Sequence, residues 1–167
     1  MLHYDFEESI GYWVVISAHA FERALNEELA PLGITHRQFQ VLAWLALEGD
    51  LSQAELAERM RIEAPTLAGI LERMERDDWI CRQFSPEDRR RKIVRPTPRV
   101  APLWAEIVGC LLRVRARATQ GLTPEQVETT MQMLSVMLGN LKSDLPSPPL
   151  EAGSCLDATP WPKDEPM

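Results

Sequence analysis

The chain has 167 residues, of which 45% are apolar and 26% charged, enough to build one folded domain with a sizeable core. Its net charge of −7 argues, taken alone, against a nucleic-acid partner. No run of about 18 apolar residues is present to span a bilayer, and the first residues are acidic where a secretory signal would be basic. Three widely spaced cysteines fit neither a disulfide framework nor a zinc site. We therefore expect a cytoplasmic protein with no metal and no cofactor.

The hydrophobic period predicts six helices. Apolar residues recur every three or four positions, and Ser/Thr-x-x-Glu/Gln capping boxes open three of the segments, at Thr35, Ser52 and Thr123. The predicted helices run over about 5–29, 35–48, 52–60, 64–78, 97–118 and 123–141. In the first helix Phe6, Ile10, Trp13, Phe21 and Leu25 recur as an apolar stripe, and the last helix has a seven-residue apolar repeat from Val127 to Leu141. Two-fold pairing of these end helices is expected to cover both stripes, and packing of both within one monomer is the alternative.

The period changes between the fourth and fifth helices. Residues 79–84 and 92–95 are rich in aromatic and β-branched side chains, which favours two strands joined by the charged loop 85–91. The third and fourth helices are separated by a turn of three or four residues, so they form a helix-turn-helix candidate. Together these elements predict a mostly α, winged helix-turn-helix fold with a wing of two to three strands.

Positive charge is concentrated around the predicted wing. Residues 82–99 contain seven basic side chains against Glu87 and Asp88, a net charge of +5 within an acidic chain. Because salt limits the reach of a surface charge to about 8–10 Å, such a patch matters more to a docked polyanion than the total charge does. The wing is therefore the candidate for contact with DNA, through Asp88, Arg89, Arg90, Arg91 and Lys92. Arg90 is expected to enter a minor groove, with Asp88 orienting it.

The fourth helix is the candidate for insertion into the major groove. Its N-terminal residues would face base edges: Ala64, Pro65, Thr66, Ala68 and Gly69. Thr66 is the only good hydrogen-bonding side chain of that set, so we expect modest or shape-based sequence specificity. Arg73, further along the helix, is expected to contact phosphates. From spacing alone, an ordinary helical hairpin within a bundle remains the alternative.

These segments resemble the multiple-antibiotic-resistance regulator (MarR) family. The resemblance is carried by residues 51–60, by 66–67 with 71–75, by the wing segment 86–92, and by 34–42, and it extends over 5–142. It implies a winged-helix dimer that regulates transcription, with backbone contacts from Ser52 and Gln53, major-groove contact from Thr66, and a wing pair formed by Asp88 and Arg90. Family members often have a polar residue and an arginine where this chain has Ala68 and Gly69, which weakens the case for direct base readout.

The resemblance and the apolar stripes together suggest the domain organisation. Residues 1–34 and 98–142 are expected to form a helical dimerisation region, 35–97 the DNA-binding region, and 143–167 a disordered, proline-rich tail. The resemblance also implies a small-molecule pocket between the two regions. Aromatic walls and cationic groups that would suit an aromatic acid are offered by Trp13, His19, Arg23, His36, Phe39 and Trp44. Each of these residues is alternatively a core or surface residue.

The predicted function is a homodimeric, sequence-specific regulator that binds a pseudo-palindromic double-stranded operator. We expect a repressor released by a small aromatic acid-like ligand, and no enzyme, because no nucleotide-binding, metalloprotease or serine-hydrolase motif is present. Two alternatives stay open. One is a winged-helix protein-interaction module, and the other is a thiol-based redox sensor using Cys81, Cys110 or Cys155.

Overall fold

The computed structural model describes residues 5–86, 88 and 91–141. The predicted tail and the wing residues Glu87, Arg89 and Arg90 lie outside these ranges. The elements in chain order are α1 (Ile10–Leu29), a short 3-10 turn (Ala30–Leu32), α2 (His36–Glu48), β1 (Leu51–Ser52), α3 (Gln53–Met60), α4 (Ala64–Arg76), β2 (Ile80–Phe84), β3 (Lys92–Pro96), α5 (Val100–Ala118) and α6 (Pro124–Leu141). The predicted fold class, mostly α with a small antiparallel wing, is confirmed.

Local hydrogen bonds set the helix boundaries. Thr35 Oγ1 accepts a hydrogen bond from the Gln38 amide at 3.3 Å, and Gln38 Oε1 accepts one from the Thr35 amide at 2.9 Å, which completes the capping box of α2. The predicted start of the first helix at residue 5 is wrong, since Ser9 is the N-cap and α1 begins at Ile10. The fourth helix likewise ends at Arg76 because Asp78 has a left-handed φ of 60°.

The wing is a three-stranded antiparallel sheet in the order β1-β3-β2. In the long hairpin Ile80 lies opposite Pro96 and Phe84 opposite Lys92. On its other edge β3 pairs with β1, where Leu51 lies opposite Val94 and both side chains are buried. A strand of two residues is too short to show a period, so the sequence pattern predicts the two longer strands and not β1.

One core joins the helix-turn-helix to the wing and to α1 and α5. The fully buried side chains of α2, α3, α4 and the sheet include Leu42, Leu56, Leu71, Ile80 and Val94. The same cluster continues through residues of α1 and α5 that are also buried: Leu25, Leu29, Ile107 and Cys110. The helix-turn-helix with its wing and the α1–α5 pair are therefore packed together through a continuous apolar core.

The apolar faces of α1 and α6 are not buried within the single chain. Most of the apolar stripe of α1 is exposed in the single chain, since Ile10 and Trp13 are 62% and 53% exposed and burial begins only at Leu25. In α6 no described residue is buried, and Met131 and Leu134 are 51% and 45% exposed. Among the described residues, no helix is both long and apolar enough to cross a membrane.

Candidate nucleic-acid interface

A tight turn places α4 across α3. Helix α3 ends at Met60, its C-cap Arg61 has a left-handed φ of 50°, and the Ile62 amide donates back to the Ala57 carbonyl at 3.1 Å. Two residues later α4 begins, with Pro65 in its first turn, where its missing amide hydrogen costs nothing. The chain thus reverses direction within three residues, which is the geometry of a helix-turn-helix.

The buried face of α4 determines which side chains face solvent. Leu67, Ile70, Leu71 and Met74 pack into the core. The opposite face carries the residues predicted to meet base edges, and all but one of them are exposed: Ala64, Pro65, Thr66 and Ala68, with Gly69 half-buried. The structure therefore places the predicted base-facing residues on one accessible surface.

Arg73 lies one turn after Gly69 and extends back over it. The Arg73 side chain is exposed, and its Nη1 is 3.8 Å from the position that a Cβ atom would occupy at Gly69. Helical side chains point toward the N-terminus, so this reach is the ordinary direction for an arginine at that position. The positively charged Arg73 guanidinium consequently lies over Gly69, in the part of the exposed α4 face that has no polar side chain of its own.

The wing hairpin is closed by backbone hydrogen bonds around Arg91. The Ser85 amide donates to the Arg91 carbonyl and the Arg91 amide donates to the Asp88 carbonyl, both at 2.9 Å. Lys92 Nζ lies 5.5 Å from the centroid of the Phe84 ring, a cation–π distance. The predicted Asp88–Arg90 pair involves a residue outside the described ranges and stays a prediction.

Several arginines in or next to the wing form ion pairs with carboxylates from elsewhere in the chain. The sequence analysis did not predict this pairing. Arg82 Nε donates to Glu75 Oε2 of α4 at 2.9 Å. Further ion pairs join Arg91 to Glu55 at 3.0 Å, Arg95 to Asp50 at 2.7 Å and Arg99 to Asp78 at 3.2 Å. Four of the seven basic side chains counted in 82–99 are thus paired with acidic residues outside that segment, so the count of +5 overstates the charge offered to a ligand.

The Glu75–Arg82 pair fixes the wing to α4. Glu75 Oε1 also accepts the Arg82 backbone amide at 3.1 Å, so the carboxylate holds both main chain and side chain of β2. The hydrogen bond from the Arg82 side chain keeps the pKa of Glu75 below its ordinary value. The orientation of the wing relative to α4 is therefore set by hydrogen bonds as well as by the shared core.

The residues predicted to bind a small ligand lie on α1 and α2. Trp13 Nε1 donates to the Glu7 carbonyl at 2.8 Å, and Arg23 pairs with Glu27 at 3.1 Å. A rise of 1.5 Å per residue puts Trp13 and Arg23 about 15 Å apart along α1. Within one chain the structure therefore does not bring these two side chains to a common point.

The second half of the predicted pocket is more compact. The His36 and Phe39 rings are 5.9 Å apart, and Phe39 and Trp44 are partly buried against the core. His36 Nδ1 lies 3.2 Å from Glu22 Oε1 of α1, in an orientation that does not make a hydrogen bond. Burial of the ring lowers the pKa of His36, an effect that the nearby Glu22 partly opposes. His19 is exposed on α1.

The two described cysteines differ in environment. Cys110 is buried, with its sulfur 3.3 Å from the Glu28 carbonyl oxygen and 3.3 Å from Arg113 Nη2. Cys81 is half-buried in β2, and Cys155 lies outside the described ranges. Neither environment tests redox sensing by these cysteines, so a thiol-based redox sensor stays a prediction.

A helix-turn-helix followed by an antiparallel wing, with the exposed face of α4 and the basic hairpin in one structural unit, defines a winged-helix DNA-binding protein. The family model described as MarR family matches residues 34–92, from just before α2 to the start of β3. The chain belongs to the MarR family of DNA-binding transcriptional regulators, as its motifs predicted.

Solved structures extend the likeness beyond the matched unit. A transcriptional regulator called PA3341 is 30% identical with a TM-score of 0.71, over 80% of this chain and 98% of that chain. A cysteine-to-serine variant of MarR from E. coli, complexed with operator DNA, is 27% identical with a TM-score of 0.65, over 77% and 93%. BpsR from Bordetella bronchiseptica, whose DNA binding is regulated by 6-hydroxynicotinic acid, is 23% identical with a TM-score of 0.70, over 82% and 98%.

Proposed function

We propose that this MarR-family regulator acts as a cytoplasmic homodimer that represses transcription from a two-fold-symmetric operator until a small aromatic acid releases it. The observation that carries the proposal is the surface formed by the exposed N-terminal face of α4 and the wing. A major groove about 12 Å wide accepts one helix, and α4 presents small side chains that allow close approach. The operator complex of the E. coli relative supports the same use of the fold here.

The contacts to DNA are proposed in three groups. Thr66 and its small neighbours on α4 would face base edges, the start of α3 with Arg73 would contact phosphates, and the wing would reach an adjacent minor groove. The residues proposed for these contacts are Ser52, Gln53, Ala64, Pro65, Thr66, Ala68, Gly69, Arg73, Asp88, Arg89, Arg90, Arg91 and Lys92. Because few of the α4 side chains can make paired hydrogen bonds to a base, sequence preference is expected to depend strongly on groove shape.

The dimer is supported by the exposed apolar faces of α1 and α6. Scattered apolar side chains on a surface are ordinary, but α6 exposes Met131, Met133, Leu134, Val136 and Leu141 along one helix. Two-fold pairing of these end helices would cover both faces and repeat the α4 surface about 34 Å away, one turn of DNA.

The ligand is proposed to be an aromatic acid that binds among Trp13, His19, Arg23, His36, Phe39 and Trp44. Since Trp13 and Arg23 lie far apart along α1, a small ligand would use one end of this set together with residues from a second chain. The Bordetella bronchiseptica relative has its DNA binding regulated by 6-hydroxynicotinic acid, itself an aromatic acid, which makes such compounds the first to test.

Selection of bound duplexes from a random pool tests the proposal. We expect one family of winning sequences with two-fold symmetry and half-sites about one helical turn apart. Aromatic acids are then added to the selected complex, and release of the DNA is measured. A single asymmetric half-site would contradict the dimer, and no enrichment at all would favour a winged-helix protein-interaction module.

A further inference from the structure

We infer that Glu55 is a positioning residue for DNA binding: it holds Arg91 at a cleft between the start of α3 and the wing, where Arg91 and Lys92 receive a backbone phosphate. The inference rests on the proposed contact between the wing and DNA. It assigns a role to a carboxylate of the DNA-binding unit whose negative charge would be repelled by the DNA phosphates if it contacted them directly.

The geometry around Glu55 uses each carboxylate oxygen separately. Glu55 Oε2 accepts hydrogen bonds from the Ser52 amide at 2.8 Å and from Ser52 Oγ at 2.6 Å, which is the capping box of α3. Glu55 Oε1 accepts a hydrogen bond from Nη2 of Arg91 at 3.0 Å. The hydrogen bonds from Ser52, assisted by Arg91, keep the pKa of Glu55 below its ordinary value. One charged side chain therefore connects the first turn of α3 to the wing.

Arg91 is fixed at both its backbone and its guanidinium. Its amide and carbonyl close the wing hairpin through Asp88 and Ser85, and Nη2 is bound by Glu55. Among the described residues Glu55 is the one side-chain partner of Arg91, and it binds Nη2. The Nε and Nη1 donors of the Arg91 guanidinium can therefore bind another acceptor. The side chain is 51% exposed, so these donors are reachable.

The neighbouring cleft has the composition of a phosphate site. It has a volume of about 360 Å³ and is lined by Ser52, Gln53, Ala54, Arg91 and Lys92. Two cations face it, and Glu55 points its second oxygen away into the cap. Arginine binds phosphate through parallel N–H donors, so an arginine that is already oriented loses less freedom on binding than a mobile one.

The variant Glu55→Gln separates positioning from simple electrostatics. A glutamine preserves the cap, as Gln38 does in the equivalent box of α2. If the carboxylate acted only through its charge, removing it would tighten DNA binding. If it positions Arg91, binding weakens by about three- to tenfold, and the slope of log K against log salt becomes less steep by about 0.9 for the one phosphate that each protomer no longer neutralises, which is about 1.8 for the symmetric dimer.

The measurement uses the full chain and the best duplex recovered from a random pool, with Kd determined over a series of salt concentrations. Arg91→Gln, which leaves the α3 cap intact, is expected to weaken binding to the same extent, and Glu55→Gln should add nothing in that background. Glu27→Gln removes the same charge from an exposed pair on α1 and is the control, with unchanged affinity expected.

Equal or tighter binding by Glu55→Gln, or unchanged binding by Arg91→Gln, overturns the inference. If Glu55→Gln lowers the melting temperature, the double variant decides the outcome, because a positioning role requires that Glu55→Gln cause no further loss of affinity in the Arg91→Gln background. Failure of the unaltered protein to bind any duplex would instead contradict the proposed function, so the two failures are distinguishable.

Discussion

Introducing a charge into the apolar face of α6 is expected to dissociate the proposed dimer. Leu134 is 45% exposed in the single chain and lies within the seven-residue apolar repeat. Fully burying a leucine contributes about 1.5–3 kcal/mol, so covering the exposed half contributes about 1 kcal/mol in each protomer, or about 2 kcal/mol for the symmetric pair. Leu134→Glu forfeits this and adds an unpaired carboxylate to the interface, so the dimer dissociation constant should rise at least about 30-fold.

Sedimentation velocity over a range of concentrations measures that change, with Gln132→Glu as the control. Gln132 is exposed and lies on the opposite side of α6, where it donates to Glu128, so the same negative charge is introduced away from the apolar face. We expect Leu134→Glu to sediment as a monomer at concentrations where the control remains a dimer. A Leu134→Glu protein that stays dimeric, with the dissociation constant of the control, would refute the placement of the interface on α6.

Two further predictions concern the DNA-binding unit. Gly69→Ala should raise the free energy of unfolding by about 0.5–1 kcal/mol in thermal or urea denaturation, because Gly69 is inside α4 and a Cβ there meets only Arg73 Nη1 at 3.8 Å. A destabilised variant would show that the position is more crowded than this distance implies. The pKa of Glu75 is lowered in the folded state, so its contribution to stability is present above about pH 4.5 and is lost as pH falls through the lower folded pKa. Glu75→Gln should therefore lose less stability than the unaltered protein in denaturant melts between neutral pH and pH 3, and equal losses would contradict this role.

The winged helix-turn-helix was predictable because its signals are local. Capping boxes at Thr35 and Ser52, the proline at the start of α4 and the change of period at residue 79 each act within a few residues. Burial on α4 followed from its spacing, so the exposed surface around Thr66 was predictable as well. Errors appeared at element ends, such as the late start of α1, where a weak cap competes with a continuing apolar pattern.

The charge pairing of the wing was not predictable, because it joins residues far apart in sequence. Glu55 is visible in the sequence as the closing residue of a capping box, yet its bond to Arg91 spans 36 positions. Asp50 and Arg95 meet only because β1 pairs with β3. Counting charges along the chain therefore identified the basic segment 82–99. It missed the acidic residues elsewhere in the chain that form ion pairs with this segment.

The apolar face of α1 shows a second limit of prediction from sequence. A periodic stripe predicts that a face is covered, but it does not say by what. Ile10 and Trp13 follow the period and are nevertheless exposed in the single chain, as is Met131 in α6. Nothing among the described residues of the single chain covers these side chains, which is why a second copy is proposed to cover them.

The salt dependence of DNA binding tests the central claim most directly, that α4 and the wing bind a duplex together. Kd for the selected duplex is measured across a salt series for the unaltered protein and for Arg90→Glu. We predict weaker binding by the variant and a slope that is less steep by about 0.9 for each phosphate that the wing no longer neutralises, twice over in a symmetric dimer. Specific binding that survives Arg90→Glu with an unchanged slope would contradict the claim.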